Sequence, residues 1–305
     1  MANLIIVPTF DTATFGTLSA ANQASVKNTI NSVIATYETN ILDSITVHIT
    51  FDIDQSVLGS TSFSVYQIPY SSFVAALTSH ALSADDFTAL ANLSSSATLD
   101  PVAGKASIDV KAPLVRALGI DNFGANNTTL DATISLGTNQ MNLSRDGTQN
   151  PGYYDLQSVV SHEIDEALGL GSSLGLGLSY ISPEDLFRYT GTSAACTTTS
   201  GRSYSLLSSA IACFSINGSN GLVRFNQPGN SQSDYGDWAV SSTIRVQDAF
   251  ATPGAQLNLG PLEWEALDVI GYSLVSPTPE PATGLLFAAG CGAVVWWRRM
   301  RKITA

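Results

Sequence analysis

The stretch Val159-Val160-Ser161-His162-Glu163-Ile164-Asp165-Glu166-Ala167-Leu168-Gly169-Leu170 decides how the chain is read. Leu156, Val159, Val160, Ile164, Ala167 and Leu168 recur at helical spacing and give one buried stripe. Asp155 stands where an N-cap belongs, and Gly169 where a helix stops. On such a helix His162 and Glu166, four residues apart, share a face. This is the H-E-x-x-H zinc arrangement with its second histidine replaced by glutamate, and Glu163 holds the position of the water-activating base. A carboxylate oxygen ligates zinc at about 2.0–2.2 Å, so the exchange alters the site without abolishing it. The competing reading is a solvated acidic face, since Glu163, Asp165 and Glu166 fall within four residues. The only histidines are His48, His80 and His162, so a three-histidine site would need two from far upstream.

Outward from the helix, other runs join the pattern. They are Leu4-Ile5-Ile6-Val7-Pro8-Thr9-Phe10, Ser182-Pro183-Glu184-Asp185-Leu186-Phe187-Arg188-Tyr189, Phe214-Ser215-Ile216-Asn217-Gly218, Asp234-Tyr235-Gly236-Asp237-Trp238 and Ala266-Leu267-Asp268-Val269-Ile270-Gly271-Tyr272. Together they resemble a family of bacterial zincin-like metalloproteases with an H-E-x-x-E active-site helix and a PEP-CTERM sorting tail. The resemblance runs along most of the chain. It implies an exported zinc-dependent endopeptidase acting on a peptide or protein substrate, with zinc as cofactor, His162 and Glu166 as ligands and Glu163 as catalytic base. The alternative is a non-catalytic cell-surface or biofilm-matrix protein on the same scaffold.

The third ligand is less defined. Counting three residues beyond Gly169, as in metzincins, reaches Ser172, a poor zinc ligand. The next acids are Glu184 and Asp185. Asp185 is preferred, in the manner of sites completed by a downstream acid. Pro183-Glu184-Asp185 reads equally as ordinary helix-start chemistry, with proline in the first turn and acids facing the dipole. Tyr180 and Tyr189 are the residues considered for stabilising an oxyanion.

The C-terminus carries a second pattern. Pro279-Glu280-Pro281 precedes the apolar run Ala282 to Trp297, which ends on Arg298-Arg299-Met300-Arg301-Lys302. The run has 16 residues, about 24 Å as a helix and slightly short of a ~30 Å hydrocarbon core that flanking residues help to span. Acidic-proline motif, hydrophobic segment and basic stop are similar to a PEP-CTERM signal. That likeness implies an exosortase-type sorting enzyme as partner and a transient anchor in the inner membrane, with the basic cluster cytoplasmic. A plain membrane anchor has the same topology. Met1 to Ile6 lacks a basic region and a long apolar stretch, so a signal peptide is expected upstream of Met1.

Composition fits an exported globular body. Among 305 residues, 13 Lys and Arg face 25 Asp and Glu, a net charge of −12. So acidic a chain offers no electrostatic footprint for nucleic acid. Cys291 lies in the apolar tail, whereas Cys196 and Cys213 lie in the body, where export permits a disulfide between them.

The expected fold is α+β. It comprises a zincin-like catalytic part (1–190) with a mixed sheet and the active-site helix, a β-rich part with a final helix (191–276) and the sorting tail with its transmembrane helix (277–305). Strands are expected at Leu4–Val7, Ile45–Phe51 and Ala132–Leu136, the last as a sheet edge bordering the substrate cleft by family analogy. Helices are expected from Ser19 to Leu42, Tyr70 to Leu82, Asp85 to Leu93 and Leu262 to Ile270. Short strands follow at Ser203–Leu207, Cys213–Ile216 and Leu222–Phe225. Asn226, Asp234, Asp237 and Asp248 do not form a compact calcium loop and read as solvated loop acids.

Overall fold

The computed structural model describes residues 3–94, 96–120, 130–176, 180–193, 196–229 and 234–275. In chain order the elements are β1 (Ile5–Phe10), α1 (Thr12–Phe15), α2 (Ala20–Asn40), β2 (Thr46–Ile53), β3 (Gly59–Phe63) and β4 (Val65–Pro69). Next come α3 (Tyr70–His80), α4 (Ala84–Leu90), β5 (Ser107–Lys111), α5 (Ala112–Ala117), β6 (Ala132–Leu136), β7 (Met141–Asn142), β8 (Tyr154–Asp155) and α6 (Leu156–Leu168). A 3-10 turn (Pro183–Phe187) leads into β9 (Arg188–Gly191), β10 (Thr198–Arg202), β11 (Ala212–Phe214), β12 (Val223–Arg224) and α7 (Pro261–Ile270). The class is therefore α+β with several sheets. Residues 1–274 cluster into one compact unit, and the division expected at residue 190 falls inside it, within β9.

The main sheet has the order β1-β2-β6-β3. The first three strands are parallel, and β3 runs antiparallel to β6 with Gly59 opposite Leu136 and Phe63 opposite Ala132. Strict alternation in β2 buries Val47, Ile49, Phe51 and Ile53 and leaves His48 part-exposed. One expectation is corrected here. Ala132–Leu136 is an interior strand, and the sheet edge is β3. Gly-Ser-Thr-Ser-Phe is too poor in apolar residues to signal a strand, and its partner β6 supplies the pairing instead.

Helix α6 packs against β3, β6 and α2. It starts where Asp155 accepts a hydrogen bond from the Ser158 amide and stops at Gly169, whose φ of 152° suits glycine. Tyr37 of α2 fixes its far face, donating its hydroxyl to Asp165 Oδ1 (2.8 Å) and to the Ser161 carbonyl (2.7 Å). Ser19 caps α2 through the Asn22 amide.

A smaller antiparallel sheet, β10-β9-β11-β12, follows. Cys196 and Cys213 are joined by a disulfide that ties the loop before β10 to β11. The strand expected at Ser203–Leu207 lies earlier, at 198–202, because Tyr204, Leu206 and Leu207 are exposed and have no core to face. Among the described residues no helix is long and apolar enough to cross a membrane. The sorting motif Pro279-Glu280-Pro281 and its transmembrane segment lie outside the described residues.

Candidate metal centre

The helical face predicted to hold a metal lines a cleft of 450 Å³, within the usual range of about 300–1,000 Å³ for ligand sites. His162, Glu163 and Glu166 form part of its wall, with Gly59, Thr61 and Phe63 of β3 opposite and Asp234, Asp237, Val246 and Asp248 arriving from the loops before α7. The solvated-face reading of the helix does not hold. Glu163 and Asp165 are buried, and the Glu166 side chain is 13 % exposed.

His162 is oriented by the backbone. Its Nδ1–H donates to the Val246 carbonyl at 3.0 Å, which turns Nε2 toward two carboxylates. Nε2 lies 3.7 Å from Glu166 Oε1 and 3.6 Å from Asp237 Oδ1. The three donor atoms all stand within 4.8 Å of one another. Two ligands each about 2.1 Å from one tetrahedral zinc ion are about 3.4 Å apart, so the observed separations are near those of a shared cation and too long for hydrogen bonds. A ring nitrogen fixed by a carbonyl on its other side is the usual setting of a metal-binding histidine.

The acid that stands beside His162 and Glu166 is Asp237, and not the expected Asp185. Asp185 is held elsewhere: Oδ1 accepts from the Ser172 hydroxyl (2.6 Å) and Oδ2 from the Ser182 amide (3.0 Å), which is helix-start chemistry. Its neighbour Glu184 accepts from the Gly171 amide at 2.6 Å, and burial pushes its carboxyl up to about 8. Tyr180 and Tyr189 are not among the cleft residues, and Tyr189 lies under Arg202 instead.

Asp237 reaches the helix because two backbones cross without side chains between them. A Cβ on Gly236 would fall 2.4 Å from Gly171 Cα, so that glycine is required. Asp234 fastens the crossing, its Oδ1 accepting from the Ser172 and Gly236 amides at 3.0 and 2.5 Å. Trp238, fully buried, anchors the next residue. Far from being solvated loop acids, Asp237 and Asp248 are each 5 % exposed. The signal available in the sequence was Asp234-Tyr235-Gly236-Asp237-Trp238, a tight acidic turn with a large anchor.

Glu163 follows His162 directly in the helix. Thr61 Oγ1 donates to its Oε2 at 2.6 Å. Oε1 lies over Gly59, where an added Cβ would be 2.2 Å away. Burial, reinforced by the Glu166 charge, pushes the Glu163 carboxyl up to about 7. Burial likewise raises Asp234 to about 6 and Asp237 well above the carboxylate range. Burial also opposes ionisation of Glu166, but His162 and Lys111 outweigh it and its pKa is lowered. For His162, burial favours the neutral ring, yet Asp237, Glu166 and Glu163 hold its pKa well above the ordinary value. Four carboxyl groups, Glu163, Glu166, Asp234 and Asp237, thus share the pocket, with His162 and Lys111 as the cationic groups acting on them.

Lys111 is a buried residue of the site that sequence reasoning missed. Its Nζ donates to the Glu166 and Leu170 carbonyls, both at 2.6 Å, closing the C-terminal end of α6, and sits 3.7 Å from the Phe63 ring centre. Comparison with known proteins finds no matching family model, curated protein or solved structure.

Proposed function

We propose that the chain is a zincin-like metal-dependent endopeptidase in which His162, Glu166 and Asp237 hold zinc and Glu163 is the catalytic base. The observation that carries this reading is the convergence of those three donors beside Glu163 in the lining of a cleft. One neutral imidazole and two carboxylates balance a divalent charge and suit zinc, though the oxygen-rich set also accommodates harder ions. A zinc ion so held acts as a Lewis acid, polarising a carbonyl and acidifying water.

The chain's own groups supply the rest. Oε2 of Glu163 is occupied by Thr61, and Oε1 lies over Gly59, itself a cleft residue, so Oε1 is the atom that would accept the proton of the attacking water and return it to the departing amine. Among the described residues β3 pairs only with β6 in its sheet, and its outer edge offers backbone groups to an extended peptide. As a ligand Asp237 would be anionic.

Export and tail sorting belong to the same proposal. They rest on the pattern from Pro279 to Lys302, with an exosortase-type enzyme and the membrane as partners. The test has two readouts. Elemental analysis should find stoichiometric zinc in the wild type and none in His162→Ala or Asp237→Ala. Cleavage of denatured casein should stop on chelation, return with zinc, and be absent from Glu163→Gln although that variant keeps its metal. Zinc without cleavage in the wild type would favour a non-catalytic surface protein on this scaffold, and no zinc at all would end the reading.

A further inference from the structure

The loop that orients His162 is itself held by one buried carboxylate outside the cleft. Glu263, in the first turn of α7, is 1 % exposed. Its Oε1 accepts from the Val246 and Gln247 amides at 3.1 and 3.4 Å, and its Oε2 from the Gly260 amide at 3.0 Å. Those two loop residues each touch a proposed ligand. The Val246 carbonyl receives the His162 Nδ1–H, and the Gln247 side chain donates to Asp237 Oδ1 at 3.4 Å. The Gln247 carbonyl also accepts from the Trp238 amide at 2.8 Å, next to Asp237 in the chain. Glu263 is absent from the cleft wall and donates nothing to it.

We propose that Glu263 is the positioning residue of the centre, setting through residues 246–247 the orientation of both His162 and Asp237. This rests on the zinc reading for its consequence, but not for its geometry. A carboxylate accepting two successive amides fixes the peptide plane between them, and with it the direction of the Val246 carbonyl that selects the His162 tautomer. Partners of this kind are typically worth 10–100-fold in metal affinity.

The measurements are proton NMR of the His162 Nδ1–H in the metal-free full chain and zinc affinity by competition with a chromogenic chelator. In the wild type the Nδ1–H should be downfield and slow to exchange with water. In Glu263→Gln, which replaces one acceptor oxygen by an amide donor, it should be lost to exchange and zinc affinity should fall 10–100-fold. Ala266→Gly, which loosens the same helix without touching the loop, should leave both unchanged. Should Glu263→Gln not fold, Glu263→Asp gives the same readings by shortening the reach and keeping the charge. Gln247→Leu should weaken zinc by up to about 10-fold yet leave the His162 proton protected. A protected Nδ1–H in both Glu263 variants, or equal losses in Ala266→Gly, overturns the assignment. If the proton behaves as stated but the wild type takes up no zinc, the positioning role stands and the metal reading falls.

Discussion

Gly59→Ala tests how the base is placed without touching a ligand. The added methyl would lie 2.2 Å from Glu163 Oε1 and 2.7 Å from Val159 Cγ1, whereas ordinary contact begins near 3.4 Å. The Glu163 carboxylate must therefore retreat by about 1.2 Å, because the other neighbour is a side chain of α6 itself. A misplacement of about 1 Å at the reacting groups costs on the order of 10²-fold in rate. The backbone at Gly59 does not require glycine, so the cost to the fold is that of overpacking, typically about 1–3 kcal/mol. The assay is steady-state cleavage of a fluorogenic peptide, with zinc content and thermal midpoint measured on the same samples. kcat should fall about 10²-fold with full zinc occupancy and KM changed little, the signature of a lost transition-state contact. Full activity in Gly59→Ala, alongside an inactive Glu163→Gln, would show that the base does not work from this position.

Three further outcomes are expected. Asp237→Asn should lower zinc affinity by more than the 10–100-fold typical of outer-shell changes, whereas Asp185→Asn should keep zinc and lose about 1–3 kcal/mol of stability from a broken buried acceptor; equal zinc loss in both, by chelator competition, would refute the choice of Asp237. Cys213→Ser should destabilise the oxidised protein by roughly 3 kcal/mol in the chain-entropy model for a loop of this length, read by urea unfolding, and an unchanged midpoint would count against the Cys196–Cys213 bridge. The thermal midpoint of the metal-free protein should fall as pH rises from 5 to 8: a hydrogen bond to Asp43 raises the His80 pKa, a contribution present below about 6.5 and lost above its folded value, and burial holds Asp268 at about 7, a contribution present at acid pH and lost toward that value. Asp268→Asn should flatten the slope, and a profile rising with pH would contradict the sign of both shifts.

What the sequence revealed of this architecture follows from where the information is local. The α6 stripe, its Asp155 cap and the alternation of β2 are written in contiguous residues, and the structure has each of them in place. His162, Glu163 and Glu166 share a turn of one helix, so their spacing alone brought them together. β3 was invisible because Gly59–Phe63 has no hydrophobic period and is a strand only by pairing with β6. Asp237 could not be placed beside the helix for a related reason. It lies 71 positions beyond Glu166, and its approach depends on Gly236 crossing Gly171. Proximity in sequence favoured Asp185, whose position after Pro183 is a capping position as much as a ligand position.

Lys111 places a cation where several carboxyl groups gather at the end of a helix. Glu163, Glu166, Asp234 and Asp237 converge near the last turn of α6, where the helix dipole is already negative. A cation at that end is favourable, and Lys111 provides one while satisfying two terminal carbonyls that would otherwise be orphaned. Its ammonium is buried, a cost that lowers its pKa and that Glu166 and Asp234 counter. Lys111 lies at the end of β5 and is followed at once by α5, so the strand delivers it and the helix start fixes its backbone. The Glu166 charge is thus matched by a buried cation close by. A neutral side chain there would leave Lys111 with less compensation, so the two residues form one electrostatic unit.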